Sequence, residues 1–325
     1  MKAVFFEKPG PPDVLKIINT EKPLFKDDEV LIKVIAAGVN RPDIIQREGN
    51  YPAPNGHSKI LGLEVSGIVD KIGKNVTKFS EGDKVAALVN GGGYAEYCVA
   101  SENVCFEIPK FMSFNDAACI PECFFTAWSN LVYRGEINKS YKKVLIHGGT
   151  SGIGIAAIQI AKLFDSQIFT TVGKEEKVSF CKKIGVDRVI NYKKEDYFDV
   201  IKKLEVNGLD LILDFIGGDY VTKNINLLSK DGKLINIGFQ KGSKVELNLI
   251  KIMLNRLTVT GSTLRIRDDD YKSMILQDIK KYIFPQIQKG KIKIFVDSVF
   301  KLDDVVSAHK RLDEGNHIGK VVLNS

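Results

Sequence analysis

The sequence predicts an α/β protein of two domains, one built on a doubly wound parallel sheet and the other mostly β. Three observations support this prediction. The chain has 325 residues, which exceeds the size at which a single hydrophobic core usually divides. Its middle part alternates strand-like apolar runs with segments of helical period, whereas its first part has short strand-like runs separated by glycines. A glycine-rich turn lies near mid-chain, between a buried strand and a helix.

The parallel sheet is predicted from residue 144 onward. Residues 144–146 form a short apolar run that suits a strand buried on both faces. After the turn, apolar residues recur at helical spacing, so a helix is expected to open near Gly152. The same alternation continues with strands over 167–172, 188–191, 210–216 and 233–238, and with helices over 174–184 and 195–204.

The turn itself indicates a dinucleotide site. Glycines let the backbone turn tightly and approach phosphates, while free N–H groups at a helix start favour negative charge. The usual G-x-G-x-x-G register has serine at its middle position here, a departure from the general pattern. An ordinary tight turn remains the alternative, but the flanking strand and helix favour a cofactor. The predicted contacts are Gly149, Ser151, Gly152, Ile153 and Gly154, together with Gly217, Gly238 and Phe239 after later strands.

The residue after the second strand indicates which cofactor is bound. Enzymes that prefer NAD place an acidic residue there, which holds the ribose hydroxyls. Here the position is Gly173, and Lys174 and Lys177 follow it. Glycine leaves room for a 2′-phosphate, and the lysines supply charge-assisted donors. Tyr192, after the third strand, is expected to cover the adenine-phosphate end. We therefore predict NADPH, although two lysines at a helix start also fit a solvated face.

Composition excludes several classes of protein. The net charge is +7, but the lysines occur as scattered pairs among acidic residues, which makes nucleic-acid binding an unlikely main role. No apolar segment reaches the length of a membrane span. Five cysteines spread over the chain do not suggest a disulfide framework, and the first residues are typical of a strand rather than a leader. We expect a cytoplasmic protein with reduced thiols.

The remaining segments predict the second domain. Strand-like runs cover 30–37, 65–72 and 84–89, and a last strand of the parallel sheet is expected within 257–264. The residues beyond are too few for a separate domain, so we expect them to return to the first one. The predicted domains are 1–120 with 264–325, and 121–263. The predicted elements of the tail are a helical stretch over 269–288, strands over 292–300 and 320–323, and a helix over 303–312.

At this point the chain resembles the medium-chain dehydrogenases/reductases, in particular the zinc-free quinone oxidoreductases of the zeta-crystallin type. The resemblance extends over essentially the whole chain and is greatest to a vertebrate subgroup induced by a tumour-suppressor transcription factor. It implies a GroES-like, mostly β catalytic domain, a Rossmann cofactor domain and a homodimer. The matching stretches are 38–43, 60–67, 83–85, 117–121, 126–128, 148–154, 191–192, 308–309 and 318–323, and for the subgroup 49–51, 150–152, 193–196 and 265–268.

The resemblance also implies the site residues. Asn40, Tyr51, Leu63, Thr126 and Ser151 are expected to line the cleft, and Lys320 is placed with the cofactor-binding residues. Tyr51 is a candidate donor to the developing oxyanion, although from the sequence alone it is equally a loop tyrosine before a proline. Ser151 is expected to position cofactor or acceptor, or only to satisfy the backbone of the turn.

Metal is not expected. Zinc-dependent relatives carry Gly-His-Glu where this chain has Gly62-Leu63-Glu64, and cysteine where it has Asn40. Leucine cannot ligate zinc and asparagine would be an unusual ligand. Without a Lewis acid, an acceptor that is already electrophilic is favoured, such as a quinone or an enone.

Three alternatives are considered. A short-chain dehydrogenase would need Tyr-x-x-x-Lys, which none of the ten tyrosines begins. An enone or enoyl-thioester reductase of the same fold remains open. A non-enzymatic role, either RNA binding or crystallin-like accumulation, would show RNA affinity without NADPH turnover. Residues 257–260 form an alternating strand at the expected sheet edge, which favours pairing with a second copy.

Overall fold

A computed structural model describes residues 1–140 and 142–325, which divide into two compact units. Unit 1 comprises Met1–Phe125 and Leu264–Ser325, and unit 2 comprises Thr126–Thr263. The predicted α/β class is confirmed, because unit 2 is built on a parallel sheet with helices and unit 1 on a mostly antiparallel sheet. Among the described residues, none of the helices has the length and apolar character needed to cross a bilayer.

The N-terminal part of unit 1 consists of strands joined by glycine-rich turns, with short helices between them. The longest strand alternates exposed and buried side chains only in its middle, at Lys33–Ile35, and its last four residues are all buried. The strands are β1 (Lys2–Phe5), β2 (Lys16–Asn19), β3 (Glu29–Val39), β4 (Glu64–Ile72), β5 (Lys84–Leu88), β6 (Tyr97–Ser101) and β7 (Cys105–Glu107), and the helices are α1 (Arg41–Arg47), α2 (Phe114–Ala117) and α3 (Pro121–Trp128), of which residues 126–128 belong to unit 2.

Unit 2 alternates strands and helices. Its sheet has the order β10-β9-β8-β11-β12-β13, and each pairing is parallel. The carboxyl ends of these strands therefore lie along one edge, where ligands of such sheets bind. The elements are β8 (Lys143–His147), α4 (Gly152–Leu163), β9 (Gln167–Val172), α5 (Glu175–Lys183), β10 (Arg188–Asn191), α6 (Tyr197–Leu204), β11 (Leu209–Asp214), α7 (Asp219–Leu227), β12 (Leu228–Asn236), α8 (Ile250–Leu254) and β13 (Thr258–Gly261).

The C-terminal part completes the sheet of unit 1. Strand β15 pairs antiparallel with β3, with Val322 opposite Gly38, and β14 pairs parallel with β15. A π-helical segment, Ile279–Ile283, continues the first helix of this part. The elements are α9 (Asp269–Asp278), α10 (Phe284–Gln288), β14 (Val296–Lys301), α11 (Val305–Asp313) and β15 (Lys320–Asn324).

Side-chain capping explains where some elements differ from prediction. The helix expected from residue 195 begins at Tyr197, because the Asp196 carboxylate accepts the N–H of Phe198 and so sets the first turn. The helix expected over 174–184 spans Glu175–Lys183, with Lys174 at its N-cap position. Strand β14 begins at Val296 rather than at residue 292.

A buried histidine in the core of unit 1 predicts loss of stability in acid. His309 on α11 is fully buried, and Arg47 Nη1 lies 3.2 Å from its Nδ1. Burial, together with the positive charge of Arg47, lowers the pKa of His309 to about 3. The unfolded chain binds this proton near pH 6.5 and the folded chain does not, so stability falls as the pH drops below that value.

We expect this residue to reduce the free energy of unfolding by roughly 2–3 kcal/mol between pH 6.5 and 4.5. His309→Gln, whose amide oxygen can still accept from Arg47, should flatten the dependence over that range. Urea unfolding at several pH values measures it. An unchanged slope in the variant would contradict this assignment.

Candidate functional site

The glycine-rich turn between β8 and α4 is held by its own serine. Ser151 is the N-cap of α4, and its Oγ accepts the N–H of Gly154 at 3.0 Å. The same hydroxyl donates to the carbonyl oxygen of Gly148 at 2.9 Å. The structure therefore shows Ser151 satisfying the turn backbone, which was one of its two expected roles. Gly148 has a φ of +64°, a conformation that glycine adopts without strain.

The geometry of the turn fits a phosphate group. The first N–H groups of a helix have no intrahelical acceptor, and they lie at the positive end of its dipole. Ser151 satisfies one of them, but those of Gly152 and Ile153 have no acceptor within residues 1–140 and 142–325. A Cβ on Gly154 would lie 2.3 Å from the carbonyl oxygen of Gly148, so only glycine permits this close turn. Two free donors at a helix start are suited to a pyrophosphate.

The structure brings most of the predicted cofactor residues to the same edge of the sheet. The Gly149 N–H donates to the carbonyl oxygen of Thr171, which joins the turn to β9. The remaining predicted residues follow the carboxyl ends of neighbouring strands: Gly173 and Lys174 after β9, Tyr192 after β10, Gly217 after β11, and Gly238 and Phe239 after β12. Phe239 is half-exposed beside Gly217, whose added Cβ would lie 2.7 Å from the phenylalanine ring.

A tyrosine lies where a ribose-binding carboxylate would need room. A Cβ on Gly173 would lie 2.5 Å from the Tyr192 hydroxyl oxygen, so an acidic side chain cannot replace this glycine unless the tyrosine moves. Lys174 is exposed beside it. Glu175 follows, and its carboxylate pairs with Lys194 at 3.0 Å, which compensates its charge.

Lys177 was expected to be exposed and able to donate to the cofactor, but it is largely buried. Its side chain lies on α5 and is only 9% exposed, whereas Lys174 is open to solvent. Lys174 is therefore the more accessible of the two predicted cations.

In unit 1, two of the predicted site residues, Asn40 and Lys320, form a buried polar cluster with Glu64. Glu64 is fully buried, and its Oε1 accepts from Lys320 Nζ at 2.6 Å and from Asn40 Nδ2 at 2.9 Å. Its Oε2 accepts the N–H of Glu122 at 2.9 Å. Lys320 also donates to Asn40 Oδ1 and to the Val39 carbonyl oxygen, so its three protons all have acceptors within unit 1.

The protonation of Lys320 follows from these contacts. Burial alone would lower the pKa of its ammonium, but its neighbours Cys123 and Glu64 hold that pKa above the ordinary value. Lys320 is thus a permanent buried cation. The sequence predicted it as a cofactor ligand, but its contacts lie with Glu64 and Asn40.

The donor set in this cluster does not suit zinc. Leu63 is buried and has no donor atom, and the Asn40 side chain is held by Glu64 and Lys320. An ammonium next to Glu64 opposes a second cation at the same carboxylate. Within the part of the chain that the structure describes, no group of three or more His, Cys, Asp and Glu residues could hold a metal ion.

The two other predicted catalytic residues have different surroundings. In unit 1, the guanidinium of Arg265 lies 5.2 Å from the centre of the Tyr51 ring, within range of a cation–π contact. Arg265 is itself nearly buried and donates twice to the carbonyl oxygen of Asn90. In unit 2, the Thr126 carbonyl oxygen accepts from Asn130 Nδ2 at 2.8 Å, at the start of the π-helical segment Ser129–Arg134. Segments of this kind are frequent at functional sites.

Sequence reasoning missed several polar residues of these clusters. Glu64 was considered only as part of a zinc pattern, and Arg265 only as part of a family resemblance. Asp214 lies within the strand predicted over 210–216, and no role was predicted for it. A buried charge of this kind needs a partner, and that requirement was the available signal.

Comparisons with known proteins agree with this geometry. Residues 26–110 match the family model described as alcohol dehydrogenase GroES-like domain, and residues 152–280 match the one described as zinc-binding dehydrogenase. The chain is 31% identical to human quinone oxidoreductase over 330 residues, covering 99% of this chain and 97% of the relative.

Two solved structures are similar over almost the whole chain. Escherichia coli quinone oxidoreductase complexed with NADPH is 26% identical with a TM-score of 0.89, covering 100% of both chains. The CurK enoyl reductase is 25% identical with a TM-score of 0.87, covering 99% of this chain and 98% of that one. The predicted GroES-like and Rossmann folds are thereby confirmed. The chain therefore belongs to the medium-chain dehydrogenase/reductase family of oxidoreductases.

Proposed function

We propose that the protein is an NADPH-dependent quinone oxidoreductase, which transfers a hydride to quinones or similar electrophilic acceptors without metal or flavin. The observation that carries this proposal is that Leu63 and Asn40 stand where zinc-dependent relatives have histidine and cysteine, while the adjacent Glu64 is paired with Lys320. With an ammonium at this place, the chain has no means of polarising an alcohol or simple ketone through zinc. A quinone accepts hydride without such help.

NADPH is the cofactor that the crevice residues fit. The N–H groups of Gly152 and Ile153 would hold the pyrophosphate at the start of α4. Tyr192 and Lys174 would face the 2′-phosphate, since Gly173 leaves no place for a ribose-binding carboxylate. The E. coli relative in complex with NADPH supports this choice. The reduced nicotinamide supplies the hydride, and the role of the protein is binding, orientation and exclusion of water.

Tyr51 is proposed as the donor to the oxygen of the acceptor. When hydride adds to a quinone, negative charge develops on that oxygen, and a hydroxyl donor stabilises it. The Arg265 guanidinium beside the tyrosine ring adds positive charge at the same place. Asn40 and Thr126 are proposed as further catalytic residues.

Tyr51→Phe should lower the kcat for quinone reduction by about 10- to 100-fold, as expected when a hydrogen bond to a charged oxygen is lost. The KM for NADPH should stay close to that of the wild type. Tyr282→Phe, which changes an exposed tyrosine on the Ile279–Ile283 segment, is the matched control. If Tyr51→Phe and the control have equal kcat values, Tyr51 has no direct chemical role.

An enone, alkenal or enoyl-thioester reductase is the second candidate. The observation in its favour is the CurK enoyl reductase, which matches the chain about as well as the quinone oxidoreductases do. The same hydride and the same oxyanion donor would serve a conjugated carbonyl.

Steady-state oxidation of NADPH and NADH against ortho-quinones, para-quinones, alkenals and an enoyl thioester tests these proposals. We expect quinones to give the highest kcat/KM, and NADPH to have a lower KM than NADH. Preference for the thioester would replace the first proposal by the second. Activity that is lost with a chelator and restored by zinc would overturn the metal-free mechanism.

We also propose a cytoplasmic homodimer. Strand β13 forms one edge of the unit 2 sheet, and Val259 on it is 40% exposed. The neighbouring helix α8 exposes Ile250, Met253 and Leu254. An unpaired edge beside an apolar helix is suited to pairing with a second copy. Light scattering at micromolar protein should give twice the chain mass.

A further inference from the structure

A chain of buried hydrogen bonds runs beneath the proposed cofactor crevice of unit 2. His147, the last residue of β8, has Nδ1 at 3.0 Å from Thr171 Oγ1 and Nε2 at 3.0 Å from Asn224 Oδ1. Asn224 on α7 then donates through Nδ2 to Asp214 Oδ2 at 3.2 Å. Each of these side chains is at most 2% exposed. The mechanism proposed above uses none of them.

At each end, this series of hydrogen bonds reaches the backbone of a turn in the crevice. At one end, the N–H of Gly148 donates to Thr171 Oγ1 at 3.4 Å, within the turn that precedes α4. At the other end, Asp214 Oδ1 accepts the N–H groups of Ile216 at 2.6 Å and Gly217 at 3.2 Å. The loop after β11 is therefore fixed by the same set of side chains that contacts the glycine-rich turn.

The chemistry of the groups gives each hydrogen bond one direction. Asp214 Oδ2 accepts from Asn224 Nδ2, so the Asn224 side chain turns its NH₂ toward Asp214 and its oxygen toward His147. His147 must then carry its proton on Nε2, which leaves Nδ1 to accept the Thr171 hydroxyl proton. The hydroxyl oxygen in turn accepts from Gly148. Burial lowers the pKa of His147, which keeps the ring in this neutral form.

We propose that Thr171, His147, Asn224 and Asp214 act as positioning residues that couple the turn after β8 to the turn after β11, so that affinity for the dinucleotide depends on all four. This inference rests on the proposed function, because the ligand is NADPH. All four side chains are buried, so they would act without touching the cofactor. They act by holding the backbone N–H groups and carbonyl oxygens of the two turns in one arrangement.

Strand β9 provides a matched pair of variants. Thr171→Val keeps the shape of the side chain but removes the hydroxyl that joins Gly148 to His147. Thr170→Val, at the adjacent buried position, removes a hydroxyl that donates to the Ile146 carbonyl oxygen at 2.6 Å. Thr171→Val loses the bond to His147 and the longer one from Gly148, and Thr170→Val loses one bond, so both melting temperatures should fall. Thr171→Ser keeps the hydroxyl and should behave as the wild type.

The measurement is NADPH affinity, by fluorescence titration of the whole chain without acceptor. Thr171→Val should raise the dissociation constant about five- to tenfold, while Thr170→Val stays within about twofold. In steady state, Thr171→Val should raise the KM for NADPH more than it lowers kcat. Equal dissociation constants for the two variants would show that the network is only structural.

A double-mutant cycle tests the coupling. Asn224→Leu removes the hydrogen bonds at the centre of the series, to His147 and to Asp214, and should also weaken NADPH binding. Combined with Thr171→Val it should weaken binding less than the product of the two separate effects, because one intact path is already lost. If the dissociation constant of the double variant rises by the product of the two single effects, the residues are not coupled and the proposal is wrong. If the wild-type chain itself binds no NADPH, the proposed function fails, and that outcome is distinct from equal affinities among variants.

Discussion

Lys320→Met is expected to lower the free energy of unfolding by about 3–5 kcal/mol, the usual effect of removing one partner of a buried ion pair. The variant leaves the Glu64 carboxylate, which is fully buried, without the ammonium 2.6 Å away. The Asn40 oxygen and the Val39 carbonyl oxygen lose their donor as well. Urea unfolding of the apo protein measures the loss.

Two further variants make this prediction specific. Lys310→Met removes an exposed ion pair with Asp13, and should change stability by less than about 1 kcal/mol. Combining Lys320→Met with Glu64→Gln should recover part of the loss, because the buried negative charge is removed too. If Lys320→Met is as stable as Lys310→Met, the ion pair does not stabilise unit 1.

Gly154→Ala is expected to raise the dissociation constant for NADPH by roughly 100-fold, because the turn must open to admit the new methyl group. The added Cβ would lie 2.3 Å from the carbonyl oxygen of Gly148. Relief of this overlap moves the Gly152 and Ile153 N–H groups relative to one another, and these are the proposed pyrophosphate donors. Isothermal titration calorimetry with NADPH measures the effect.

Ala157→Gly is the control for Gly154→Ala. It lies within α4 and costs about 1 kcal/mol of helix stability, but it leaves the turn unchanged. We expect its NADPH affinity to match the wild type. A Gly154→Ala protein that binds NADPH as tightly as Ala157→Gly would show that the turn does not hold the pyrophosphate.

Local patterns were sufficient to predict most of the fold and the position of the glycine-rich turn. The apolar runs of β8 and β11 and the helical spacing after Gly152 each lie within a few residues, where period and turn chemistry are informative. The glycine turn could be located because one ligand restricts its backbone. The role of Gly173 in the choice of cofactor stays a prediction.

Long-range polar pairs could not be predicted in this way. Lys320 and Glu64 are 256 residues apart, and Arg265 contacts Tyr51 and Asn90 from the far end of the chain. A single charged residue on a strand is not part of a repeating sequence pattern, so the sequence does not indicate which residue pairs with it. The same applies to Lys177, whose burial depends on how α5 packs rather than on its neighbours in the sequence.

The division of unit 1 between two segments has a consequence for biosynthesis. Residues 126–263 are contiguous, so unit 2 can fold as soon as it leaves the ribosome. The sheet begun by the first 125 residues is completed only when β15 has been synthesised and pairs with β3. Until then Glu64 lacks its ion-pair partner Lys320. The N-terminal segment therefore leaves the ribosome with the last residues of β3 unpaired by β15, while the residues of unit 2 are already all present.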